Sequence, residues 1–145
     1  MTFALAFVAY VLLGVSVVLG VRGYVTRRYT MAAALVAATH VTLVWTLRYH
    51  GSLAAALDKG RAGFVIFHFA LLLLIVATVM PQPLSAVLTW LAFPVVTSGA
   101  VGAAFKYDYV AGYRIPLLVT AGAAVGLGFL AWRKRRAERD KPIPQ

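Results

Sequence analysis

Cysteine is absent from this 145-residue chain, and acidic residues are scarce, with four Asp and Glu in all. The first absence excludes disulfides, thiolate metal ligands and thiol redox chemistry. The central parts of the long apolar stretches also contain no Asp, Glu, Lys or Arg. Proton-coupled pumps and cation antiporters generally use an intramembrane carboxylate or base, so coupled transport of that kind is disfavoured. No paired carboxylates, Gly-rich phosphate loop or hydrolase motif occurs, and the expectation is a protein that is not an enzyme. No basic residue precedes the opening run MTFALAFVAY. It therefore lacks the n-region of a signal peptide and reads as a retained helix. No internal repeat is evident.

What the chain does have is apolar length. Hydrophobic residues make up 62% and charged residues 12%, where a soluble domain holds about 45–50% and about 25%. A water-soluble fold of this composition would expose large apolar patches. Five segments reach the roughly 17–25 apolar residues that a span requires: about 2–21, 30–48, 63–80, 85–104 and 115–132. The fold class expected is an all-α membrane protein, a five-span helix bundle over residues 1–132 followed by a basic tail, 133–145. Pro81-Gln82-Pro83 marks a tight turn between the third and fourth spans. The segment Lys106–Arg114 is rich in tyrosine, as expected at headgroup level.

The basic residues orient the bundle. With five spans, Arg22, Arg27 and Arg28 share a side with Arg133, Lys134, Arg135, Arg136, Arg139 and Lys141. The other side holds Arg48, Lys59, Arg61, Lys106 and Arg114, together with Asp58 and Asp108. The positive-inside rule then puts the N-terminus outside and the C-terminus in the cytoplasm. The location expected is a bacterial or archaeal plasma (inner) membrane. A net charge of +10 in a soluble chain would suggest nucleic acid. Here the run Arg133, Lys134, Arg135 and Arg136 directly follows an apolar span and reads as lipid-headgroup contact, with no nucleic-acid partner.

Small residues recur at helical spacing. Gly122 and Gly126 form a GxxxG, and Ser98/Gly102, Gly99/Ala103 and Ala33/Ala37 form related pairs. Such pairs let helix backbones approach closely in lipid, either inside the bundle or between copies in a homo-oligomer. Pro94 should kink the fourth span, with the carbonyl it frees satisfied by a neighbour or by Thr89, Thr97 or Ser98.

Chemistry, if present, rests on three histidines. His40 is near the middle of the second span, His50 at its outer end, and His68 early in the third. Thr39, Thr42, Thr46, Tyr49 and His50 fall on overlapping i, i+3, i+4 spacings and form a polar stripe expected to face protein or a cavity. Histidines on adjacent helices are the usual axial ligands of membrane haems. At about 1.5 Å per residue, His40 and His68 differ in depth by only about 5 Å. His50 and His68 make a second candidate pair. The alternative is that each histidine bonds a hydroxyl or carbonyl across helices. The cofactor reading stays open between haem, copper and none.

Several of these features resemble a family of small membrane assembly factors of haem-copper terminal oxidases, the CtaM-like family. There, an Arg-Arg pair opens a span that ends in Tyr-His, and the next span opens with a histidine. A later span carries Trp, Pro and a Ser/Thr-Gly step ending in Tyr. Here Arg27-Arg28, Tyr49-His50 and His68 match the first part, and Trp90, Pro94, Thr97-Ser98-Gly99 and Tyr107 the second. The match covers about residues 22–107. Thr26 stands where that family has a histidine, Pro81-Gln82-Pro83 replaces its His-Arg-rich linker, and a fifth span is added. The resemblance implies an assembly factor or accessory subunit beside a respiratory complex, with His50 and His68, then His40, holding haem or metal or contacting the client. Two other readings are a small oligomeric transporter or channel and a b-type haem subunit.

Overall fold

A computed structural model describes residues 2–22 and 26–139. Among them every regular element is helical: α1 (Thr2–Val21), α2 (Arg27–Leu47), α3 (Leu53–Val79), α4 (Leu84–Lys106), a 3₁₀ turn (Asp108–Tyr113) and α5 (Arg114–Arg139). All five α-helices are long and apolar enough to cross a membrane. The shortest, α1, has 20 residues, or about 30 Å of rise, which matches a bilayer core. Lys141 and the final KPIPQ lie outside the described residues.

Two boundaries differ from the sequence expectation. The third helix begins at Leu53, ten residues before the expected span at 63, because Ser52 caps it: its Oγ accepts from the Ala55 N–H at 3.2 Å. Gly60 then breaks the helix with φ 169° and ψ 70°, so that a short, charged first part joins the apolar span at an angle. The Lys59 carbonyl beside this break accepts from the Tyr107 hydroxyl at 3.3 Å. The second difference is the tail. Residues 133–139 continue α5 as helix rather than leaving it as a separate segment, since Arg, Lys, Ala and Glu are all strong helix formers. Pro116 does not disturb α5, because it sits in the first turn where no intrahelical N–H is needed. The segment after α4 forms a compact 3₁₀ turn. Tyr109 lies against Phe3 and Tyr113 against Phe7, closing that end of the bundle.

Helix α1 holds the assembly together, touching α2, α4 and α5, while α3 packs on α4 and α2. Its inward residues Tyr10, Leu13 and Val17 meet Ala33 and Ala34 of α2, Phe93 of α4 and Ala124 of α5 in one core cluster. Gly14 makes room for α5 and α4: a methyl group there would meet the Ala124 Cβ at 3.5 Å and Phe93 at 3.7 Å. The tightest crossing is at Gly99, where a Cβ would stand 2.8 Å from the Ile66 side chain and 3.2 Å from Phe67. A side chain there would require Ile66 and Phe67 of α3 to shift.

Three helix ends are closed by arginines from other helices. Arg27 Nε donates to the Thr78 carbonyl (3.0 Å), Arg114 Nε to Ala104 (2.8 Å) and Arg135 to Val21 (3.0 Å). The last carbonyls of a helix lack intrahelical partners and carry the negative end of its dipole, so a guanidinium there meets both needs. The Arg135 bond also shows that the end of α1 and the basic run of α5 occupy the same end of the bundle. A five-span chain requires this, and a four-span chain would forbid it.

Candidate functional site

The three histidines have separate surroundings. His68 is fully engaged: its Nδ1 lies 2.8 Å from the Phe64 carbonyl one turn back, and the Trp45 indole N–H donates to its Nε2 at 3.1 Å. That pattern makes Nδ1 the protonated nitrogen and Nε2 the acceptor. Phe64 stacks on the ring at 3.9 Å, so α3 and α2 share a small aromatic cluster of Trp45, Phe64 and His68. Trp45 is thus the cross-helix partner of His68. A tryptophan-to-histidine bond carries no sequence signature.

His40 faces the opposite way, towards α1. Its ring is 6.4 Å from Phe3 and lies beside the Thr2 backbone, but no hydrogen bond of acceptable geometry reaches its buried Nδ1. His50 is in the turn after α2, exposed and in the left-handed region (φ 49°), followed by Gly51 at φ 74°. Tyr49 lies in the same turn and is half-buried. None of the three rings stacks on or bonds another, and among the described residues no group of three His, Asp or Glu side chains is placed to hold a metal ion. His40 of α2 lies against Phe3 of α1, whereas His68 of α3 bonds Trp45 of α2. Ligation by His68 would have to displace the Trp45 indole from Nε2.

The threonine stripe is found on the outside. Thr39, Thr42 and Thr46 are all exposed, so the protein or cavity expected beside them is not supplied by this chain's own bundle. The physical reason is local. The Thr39 hydroxyl donates to the Leu35 carbonyl at 2.9 Å and Thr46 to the Thr42 carbonyl at 2.9 Å, each one turn back on its own helix. A hydroxyl satisfied in this way no longer needs a neighbour and tolerates an apolar setting.

Buried hydroxyls instead form a cluster that the sequence did not single out. Ser16 of α1, Thr30 of α2, and Ser85 and Thr89 of α4 are each at most 2% exposed. Ser16 and Thr30 hydroxyls are 2.7 Å apart, and Thr30 and Thr89 are 3.4 Å apart. Thr89 donates to the Ser85 carbonyl (2.8 Å), and Ser85 to the Ala77 carbonyl of α3 (2.7 Å). Four helices are therefore linked by side-chain oxygens near the arginine-rich end. Nearer mid-depth, the Tyr10 hydroxyl meets Thr97 at 2.9 Å, and Thr97 donates to the Phe93 carbonyl. Thr89, Thr97 and Ser98 each bond a carbonyl other than that of Trp90, so none of them caps the acceptor that Pro94 frees. The only sequence signal for this cluster is that Ser16 and Thr30 are hydroxyls within otherwise apolar spans.

The small-residue pairs divide in the same way. Ala33 and Gly99 pack inside the bundle. Gly102, Gly122 and Gly126 face outward, with nothing within 4 Å of where a Cβ would be. The basic run also divides. Arg135 closes α1, whereas Arg133 and Arg136 line a shallow recess with Phe129 and Trp132. Lys134 is exposed.

Five apolar helices with a hydroxyl-linked interior define a multi-pass membrane bundle. No protein family, curated protein or solved structure matches the chain.

Proposed function

We propose that the protein is a non-enzymatic membrane protein that works by lateral contact with another integral membrane protein, as an assembly factor or accessory subunit. The arginine-rich end faces the cytoplasm of a bacterial or archaeal cell, in line with the positive-inside rule. The observation that carries this reading is the outward row Thr39, Thr42 and Thr46 on α2. Hydroxyls on a lipid-facing surface gain nothing from acyl chains, but they exchange their local bonds for a partner helix at little cost. Interior hydroxyls, by contrast, are already joined to one another, and Ala33, Ala77 and Ala92 fill the core beside them. This filling favours a docking surface over a conduction path. The resemblance of Arg27-Arg28, Tyr49-His50, His68 and Pro94 to the oxidase assembly factors makes a haem-copper oxidase the first client to examine.

The test is photo-crosslinking in the native membrane from a probe at Thr42 or Thr46, with the adducts identified by mass spectrometry. Adducts with oxidase subunits are expected. Adducts only with lipid, or with a second copy of the chain, would remove the client reading. An absorption spectrum of the same purified protein addresses the haem reading: a Soret band lost in His68→Ala would replace this proposal with a haem-binding one.

A further inference from the structure

The arginine-rich end combines an apolar trough with a cationic recess. The trough, about 300 Å³, runs between α1, α4 and α5 and is floored by Val17, Val21, Phe93 and Gly128. Phe129 and Trp132 form its wall and also line the adjoining recess of about 370 Å³, which ends at Arg133 and Arg136. The two spaces are therefore one surface, apolar below and doubly basic above. From Ala124 to Trp132 the trough follows α5 for about 12 Å at the α-helical rise.

We infer that this surface is a binding site for an anionic phospholipid, with one acyl chain in the trough and the phosphate between Arg133 and Arg136. Charge complementarity selects the occupant. Two guanidinium groups at i, i+3 lie on one face of α5, and guanidinium binds phosphate through paired N–H donors. Arg136 is held in place by the Trp132 ring, 5.6 Å beneath its guanidinium carbon. Arg135, one position away, is fixed on the Val21 carbonyl. That bond joins the basic run of α5 to the end of α1. A zwitterionic lipid brings its own cation beside the phosphate and offsets the two guanidinium charges less well than a headgroup of net negative charge, and a free anion would leave the trough unused. An amphiphile with a negative head uses both parts.

The experiment uses the three tryptophans of the chain, two of which, Trp90 and Trp132, line the trough. The full-length protein is reconstituted in phosphatidylcholine vesicles containing a minor fraction of phosphatidylglycerol brominated in its acyl chains. Tryptophan quenching is compared with that from the same fraction of brominated phosphatidylcholine. The expected preference for the anionic lipid is on the order of tenfold, given the attraction of each basic residue near the surface. Arg133→Gln with Arg136→Gln should abolish the preference. Arg28→Gln with Lys134→Gln removes the same charge from the same end and should leave most of it. All four residues are exposed, so neither double variant threatens the fold. Equal quenching by both lipids in the wild type would overturn the site. So would an equal loss of preference in the two double variants, because that outcome means diffuse surface attraction. Inorganic phosphate, matched against chloride for ionic strength, should not relieve the quenching; if it does, the recess is a free-anion site and the lipid proposal is wrong.

Discussion

Thr30 and Thr42 lie on the same helix, carry the same hydroxyl and have opposite roles. Thr30 is fully buried and bonded to Ser16 and Thr89 on two other helices. Thr42 is exposed, three residues from Thr39 and four from Thr46, whose hydroxyls both turn back to their own helix. The difference shows that in an apolar solvent a hydroxyl has two ways to be satisfied, and only one of them joins helices. Cross-helix bonds near the arginine-rich end give the bundle its specific packing. Self-bonded hydroxyls on the outside leave a surface that is polar in composition but not committed to any partner within the chain.

The largest effects are expected from crowding the tight α3–α4 crossing and from removing the buried hydroxyl that joins the helices. Gly99→Val should destabilise the bundle by about 1–3 kcal/mol in a detergent unfolding titration, because overpacking at a tight helix crossing costs that much. Thr30→Val keeps the volume and removes the link between Ser16 and Thr89. Its expected cost is about 1–2 kcal/mol, at the upper end for interhelical hydrogen bonds in membranes. If Thr30→Val is neutral, the buried cluster is not what joins the helices, and the contrast with Thr42 fails.

Trp45→Phe should have a smaller effect. It preserves the contact with Phe64 but deletes the donor to His68 Nε2, at an expected cost of about 0.6 kcal/mol. The same variant frees Nε2, so any haem or metal binding by His68 should rise in Trp45→Phe, as read by absorption and metal content. The smallest effect is expected for Thr39→Val, Thr42→Val and Thr46→Val combined, within about 0.5 kcal/mol of the parent, as for substitutions away from packed features. A clear destabilisation of the triple variant would mean that the row is structural after all.

How much of this could be read from the residues alone varies with position. The five spans were legible because each needs only a sufficient apolar length, and the ends of α1 and α4 fall within two residues of the expected ones. The start of α3 was not legible. Its first turns carry Asp58, Lys59 and Arg61, and charge at a span's edge does not reveal whether the backbone is already helical. The threonine stripe was legible as a shared face, but helical spacing does not say whether the chain's own helices cover that face. Gly122 and Gly126 pose the same problem: the motif marks a smooth surface, and it is the placement of α5 against α1 through Ala124 and Gly128 that turns this surface outward. His40 and His68 were legible as imidazoles within apolar spans. Their separation was not, because it depends on the rotation of α2 that sends Trp45 to α3 and His40 to α1.

Taken by itself, the amino-acid sequence determined that this chain is a membrane bundle, how many helices it has, and which charged segments share an end. These are properties of length and hydropathy, and lipid imposes them on each segment independently. Only the tertiary structure decided which face of each helix is inside. In water, an apolar stripe would have announced that face. In a bilayer both faces are apolar, so the choice falls to close packing at Gly14 and Gly99 and to the few hydroxyls that meet across helices.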